Sequence, residues 1–180
     1  MIIEDKEFFT EQDKKWLNEN IVFCKDFPLH LNHTMLNFDN NNFLIHTIVK
    51  RRDNEKDLTK PCEFNSCLGE TVVKIIKKFC GKHNIKFNYI IRSCINLCFR
   101  TREDTCAVHV DHTFPHKTMI VYLNDPDDKK SYTVMLDNDK KTVLKKIKPE
   151  AFKVVCFDEV PHYLHMPKFG YRMILVTTFN

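Results

Sequence analysis

The chain reads as a mainly β fold with supporting helices, a sandwich or a jelly roll. Three observations point there. From Ile85 onward, short apolar and β-branched runs recur at near-regular spacing with turn signals between them. One strongly amphipathic helix precedes them, in a position to buttress a sheet. With 180 residues, 43% of them hydrophobic, the chain is long enough for one sizeable core. The expected organisation is a single domain over 1–180, with 1–84 as helical and strand support and 85–180 as the jelly-roll core. No internal repeat or low-complexity segment interrupts it.

Each element has a local cause. Thr10-Glu11-Gln12-Asp13 opens a short helix, with Thr10 as N-cap and Asp13 at the capping-box position, running to about Asn20. Phe27-Pro28 begins an extended stretch, and 43–49 has strand composition. Arg51 to Lys60 is a charged loop closed by Pro61. In the second helix Val72, Ile75, Ile76, Phe79 and Cys80 fall on one face, while Lys74, Lys77, Lys78 and Lys82 take the other. Ser66 is its candidate N-cap, and Gly81 or Asn84 its stop. Strands are expected over 87–99, with Arg92 inside an apolar run, and over 118–124, closed by Asp125-Pro126-Asp127-Asp128. A hairpin pairs 131–136 with 142–147 across Asp137-Asn138-Asp139. Strands over 152–157 and 172–179 finish the set. Trp16 and the phenylalanines read mainly as core.

Composition excludes some roles. The net charge of +4 permits contact with nucleic acid but does not argue for it. The lysines at 140, 141, 145, 146 and 148 fit a solvated hairpin edge that discourages strand addition. No apolar run is long enough to span a bilayer, and the first residues do not resemble a secretory signal, so an intracellular protein is expected. The eight cysteines include no C-x-x-C pair, and a disulfide framework is not expected. Cys94, Cys98 and Cys156 look like small core residues, and a zinc site from Cys62, Cys67 and a distant partner is a minor alternative. Scarce glycine with plentiful Asn, Lys and Ile fits an AT-rich genome, such as that of a virus or phage, and then the host cytoplasm.

The chemistry concentrates in two segments. His109 and Asp111, two apart on a strand, would point to one face. An imidazole from a later strand, His162, would complete a two-His, one-carboxylate facial triad with open positions for a co-substrate and O2 on a non-haem Fe(II). Arg172 then sits ten residues beyond His162 at the start of an apolar strand, and arginine is suited to grip a carboxylate in two parallel hydrogen bonds. A metal triad with a buried carboxylate clamp suggests an Fe(II)/2-oxoglutarate oxygenase. His165 competes with His162 as the distal ligand. His112 and His116 read as solvated loop histidines near the mouth.

At His109-Val110-Asp111, at Thr118-Met119-Ile120-Val121-Tyr122-Leu123-Asn124, and at His162 through Pro167-x-x-Gly170-x-Arg172, the chain resembles the Fe(II)/2-oxoglutarate-dependent oxygenases of the prolyl-hydroxylase-like group, including small phage and viral members. The resemblance covers residues 91–179. It implies a double-stranded β-helix in which His109, Asp111 and His162 bind Fe(II). It implies that Arg172 holds the far carboxylate of 2-oxoglutarate with help from Tyr122, and that Thr118 belongs to the co-substrate pocket. Phe99 and Cys106 stand where some relatives carry tyrosines. The implied reaction uses 2-oxoglutarate and O2 to hydroxylate a peptidyl side chain, a nucleobase or a small metabolite. The alternatives are a non-catalytic jelly-roll binding or structural module, and a jelly roll with a different metal chemistry.

Overall fold

The computed structural model describes residues 1–34, 41–51 and 63–180. Most of the expected charged loop with Pro61, and Cys62 of the alternative zinc site, lie outside the described residues. No disulfide joins the seven described cysteines to one another, and Cys94, Cys98 and Cys156 are fully buried as core residues.

Among the described residues ten strands form two antiparallel sheets. They are β1 (Ile2–Asp5), β2 (His30–Asn32), β3 (Phe43–Val49), β4 (Ile90–Phe99), β5 (Lys117–Tyr122), β6 (Thr133–Leu136), β7 (Val143–Ile147), β8 (Val154–Asp158), β9 (His162–Leu164) and β10 (Tyr171–Phe179). The large sheet has the order β1-β8-β5-β10-β4-β3-β2, and the small one β7-β6-β9. β1 was not expected from the sequence, being short and without an alternating pattern, and β9, the later strand expected to carry His162, is only three residues long. The lysines of β7 lie on an edge strand, where Lys145 pairs with Glu4 of β1 at 2.7 Å.

The large sheet is apolar on both faces, and strand alternation sorts its side chains. Met119 and Val121 of β5, Val154 and Cys156 of β8, and Met173 and Leu175 of β10 pack on the helices. Their alternates Ile120, Tyr122, Val155, Phe157 and Ile174 face the small sheet, where Met135 and Ile147 meet them. Burial of this kind is worth about 25 cal/mol per Å² of apolar surface.

Helix α1 (Glu11–Leu17) begins with the expected capping box: Asp13 N–H donates to Thr10 Oγ1 at 3.2 Å, and Thr10 N–H to the Asp13 carboxylate at 3.0 Å. It continues as a π-helical turn over Asn18–Val22. Trp16 is 38% exposed on α1, and Phe23, Phe64 and Phe169 are also exposed, so these rings are not core as expected. Helix α2 (Gly69–His83) lays Val72, Ile76, Phe79 and Cys80 on the sheet. Its N-cap is Leu68 rather than Ser66, whose hydroxyl instead accepts from Leu68 N–H at 3.2 Å. Of the two candidate stops, Asn84 ends the helix in the left-handed conformation, φ 54°. Among the described residues no helix is long and apolar enough to cross a membrane.

Asp5 ties the sheet edge to α2. Its buried carboxylate accepts from Lys82 Nζ and His83 Nε2, both at 2.8 Å, and from Glu7 N–H at 3.0 Å. Burial alone would raise its pKa, but these donors together hold it below the ordinary 3.8. The stabilisation is therefore present above pH 3.8 and is lost as pH falls through the lower folded value. Asp5→Asn should cost about 1–3 kcal/mol at pH 7. In urea unfolding, the gap from the parent should close below pH ~3.8 and stay constant from pH 5 to 7.

Candidate metal centre

His109 and His162 are brought together by a backbone bridge. His109 N–H donates to His162 O at 3.0 Å, and His162 N–H returns a bond to His109 O at 2.9 Å. Residues paired in this way lie directly opposite and project to one side, and the two rings stand 4.4 Å apart. β9 carries His162 and pairs with β6, which hangs it from the small sheet. His109 and Asp111 do not lie on a strand as expected: His109 is an isolated bridge residue and Asp111 sits in a bend. The bend still turns the Asp111 carboxylate back, with Oδ2 3.8 Å from His162 Nε2. One ligand atom from each of the three residues lies within 4.8 Å of the others, so they can hold a metal ion.

Both imidazoles are set up in the same way. His109 Nδ1 donates to Ala107 O at 3.0 Å and His162 Nδ1 to Val160 O at 2.8 Å. A carbonyl oxygen only accepts, so each Nδ1 carries its proton and Nε2 is left as the ligating atom. Burial, with the second imidazole alongside, pushes the His109 pKa down to about 4, which keeps that ring neutral. Burial alone would raise the Asp111 pKa. The neighbouring His162 and His109, the Thr118 hydrogen bond and the Arg92 charge outweigh it, and the carboxyl stays far below its ordinary value. Two imidazoles and one carboxylate on one side make a donor set for a divalent first-row metal.

The trio lines a cavity of about 430 Å³ between the sheets. Its floor is Ile174 and Val176 of β10 with Ile120 of β5. Arg172 lines its far end and is 1% exposed. Nη1 of Arg172 donates to Ser131 O at 3.2 Å and Nη2 to Thr133 Oγ1 at 2.7 Å, and the guanidinium lies 5.2 Å from the Tyr122 ring centre. Its buried Nε–H has no acceptor among the described residues. Gly170, at φ 65°, makes the turn into β10, and a side chain there would collide with Asp127. That turn delivers Arg172 to its row.

The other expected site residues fall in several places. Thr118 Oγ1 donates to Asp111 Oδ2 at 2.7 Å, so this hydroxyl is spent on the carboxylate. Tyr122 is fully buried, with its hydroxyl 2.8 Å from Thr133 Oγ1, and does not line the cavity. Phe99 and Cys106 do not line it either, and Cys106 Sγ accepts from Leu164 N–H. His112 and His116 are not solvated as expected. Each is 5% exposed, with His112 Nε2 on Thr178 Oγ1 at 2.9 Å and His116 Nδ1 on Phe114 O. His165 bridges to Thr105 and stays outside the cavity. Thr133, Asn96, Arg92 and Arg51 line the cavity without having been singled out. Arg92 and Asn96 did carry a signal, as two polar residues four apart on one face of an apolar strand. Thr133 carried none.

Thr118 fixes the Asp111 carboxylate, and groups that orient metal ligands typically contribute 10–100-fold to metal affinity. Thr118→Val should weaken Mn²⁺ or Co²⁺ binding by roughly that factor, read by calorimetry, with little change in thermal midpoint of the metal-free protein. Asp111→Ala should remove measurable binding. Unchanged affinity in Thr118→Val would mean that the hydroxyl does not position the carboxylate.

No family model matches the chain, and no curated protein sequence matches it significantly. Solved structures do. An oxidoreductase of the 2OG-Fe(II) oxygenase family from Burkholderia pseudomallei aligns at TM-score 0.75 and 12% identity, over 99% of this chain and 84% of that one. A prolyl-4-hydroxylase from Pseudomonas putida aligns at 0.62 and 14%, over 99% and 91%. A prolyl hydroxylase from Trichoplax adhaerens, solved with a hypoxia inducible factor oxygen degradation domain peptide fragment, aligns at 0.65 and 16%, over 99% and 82%. A likeness at such identities speaks for the fold. With its two antiparallel sheets and an HxD…H trio gathered between them, the chain has the double-stranded β-helix fold of the 2OG-Fe(II) oxygenases.

Proposed function

We propose that the chain is an Fe(II)- and 2-oxoglutarate-dependent dioxygenase that hydroxylates a substrate C–H bond. The observation that carries this reading is one cavity holding both a two-His, one-carboxylate trio and a buried guanidinium with an unmatched N–H. The donor set suits a first-row divalent ion with open positions. The unmatched Nε–H of Arg172 calls for an acceptor that arrives with a ligand, and a carboxylate fits its planar fork.

In this reading His109, Asp111 and His162 hold Fe(II), and Arg172 takes the distal carboxylate of 2-oxoglutarate. The bound group supplies oxidative decarboxylation: 2-oxoglutarate, O2 and R–H give succinate, CO2 and R–OH. The chain's own residues bind and orient. Thr133 and Ser131 fix the guanidinium plane and Tyr122 backs it, so Tyr122 serves the carboxylate through Arg172. Thr118 orients the Asp111 carboxylate. Ile120, Ile174 and Val176 give the co-substrate methylenes an apolar floor and exclude water. Residues 1–180 act as one unit here, since β1, β2 and β3 complete the sheet that carries the site.

Anaerobic titration of 2-oxoglutarate into the Fe(II)-loaded protein should produce the visible charge-transfer band of the chelate, and Asp111→Ala should abolish it. Iron binding with no band would favour another metal chemistry, and no iron binding would favour a binding or structural module. Arg172→Lys should raise the half-saturating 2-oxoglutarate concentration about tenfold or more, because lysine keeps the charge but loses the fork. An unchanged value would remove Arg172 from the co-substrate site.

A further inference from the structure

The cavity carries more positive charge than 2-oxoglutarate would neutralise. In the reading above, Arg172 is matched by the distal carboxylate. A divalent ion is matched by Asp111 and the second carboxylate of the co-substrate. Arg92 is left over. It projects from β4 into the same cavity. Its row crosses β10 at Thr178 and β5 at Thr118, so it stands at the Asp111 end. Arg172 lies six residues away along β10, roughly 20 Å at strand rise. Among the described residues Arg92 forms no ion pair, and its electrostatic neighbours are Cys94, to which it also hydrogen-bonds, and Asp111. Arg51 enters at the same end, donating to Asp111 O at 3.1 Å. Asn96, on the same face of β4, presents a buried Oδ1 with no donor among the described residues.

A half-buried guanidinium beside a metal centre destabilises the fold unless an anion meets it. Its fork binds an oxyanion through two parallel hydrogen bonds. We propose that Arg92 anchors a substrate oxyanion, a carboxylate or phosphate on a small molecule, and so sets the bond to be oxidised over the metal trio. The proposal rests on the oxygenase reading and narrows its substrate class. Asn96 Oδ1 accepts an N–H or O–H of the same molecule. An uncharged internal peptide segment would leave Arg92 unmatched, so such a segment is not the substrate.

The test uses the anaerobic Fe(II)·2-oxoglutarate complex and reads the shift of its visible band as probes are added. The probes are the free amino acids and the nucleoside 5′-monophosphates, each against its neutral counterpart: amino-acid amides, nucleosides and an end-capped proline peptide. A carboxylate or a phosphate probe should shift the band, its neutral counterpart should not, and the responding set distinguishes the two sources. In Arg92→Gln the half-saturating concentration of that probe should rise roughly tenfold or more. Arg92→Lys, which keeps the charge beside Asp111, should show a smaller rise and serves if the Gln variant fails to fold. Equal shifts from neutral probes, no shift from any anion at about 10 mM, or a parent-like response in both variants would overturn the proposal while the band itself stands. Absence of the band would overturn the oxygenase reading and this proposal with it.

Discussion

The pairing of β10 between β4 and β5 is the constraint on which the rest depends. β10 matches β4 from Tyr171 to Phe179 and β5 from Ile174 to Phe179. With both neighbours set, strand alternation leaves no freedom. Met173 and Leu175 must meet the helices, and Arg172, Ile174 and Val176 must face the small sheet. A slip of one residue would send Arg172 into the helix-facing core and Met173 and Leu175 into the cavity. The register therefore places the guanidinium, floors the cavity and aligns Thr118 under Asp111 at once.

Arg172, Asp111 and Lys153 are tolerated in this interior because each has a specific answer. Arg172 meets Ser131 O, Thr133 Oγ1 and the Tyr122 ring face. Asp111 meets Thr118 and two imidazoles. Lys153, 2% exposed, meets Glu4 at 3.3 Å, so the first strand of the chain neutralises a cation behind the site. The buried side-chain polar atoms without partners among the described residues, Arg172 Nε and Asn96 Oδ1, both belong to cavity-lining residues. Where satisfaction is otherwise so complete, an orphan donor and an orphan acceptor mark places kept for a ligand.

The two histidines share one device. Each folds its Nδ1–H onto the carbonyl two residues back, and the reciprocal backbone bonds between residues 109 and 162 hold the rings together. No long strand is needed at Asp111. A bend, pinned by Thr118 and by Arg51 on its carbonyl, does the placing. At Gly170, φ 65°, the missing side chain lets the chain reverse into β10.

Local pattern sufficed for much of this. The helix-period stripe of α2, the capping box at Thr10, the apolar, β-branched runs of β4, β5 and β10 and the polar turn of the β6–β7 hairpin are written in neighbours a few residues apart, where propensity and periodicity act. The H-x-D pair, the later histidine and Arg172 were legible as residue types in an order that suits metal chemistry. Tertiary structure decided the rest. β1 and β9 exist because longer strands offer them partners, and neither has a pattern of its own. Burial of His112 and His116, exposure of Trp16, the hold of Thr133 on Arg172 and the entry of Arg92 into the cavity all depend on contacts between distant segments. The sequence by itself determined which groups exist and how each segment curls. Only cross-strand pairing, which costs loop entropy and depends on the rest of the sheet, decided which groups meet.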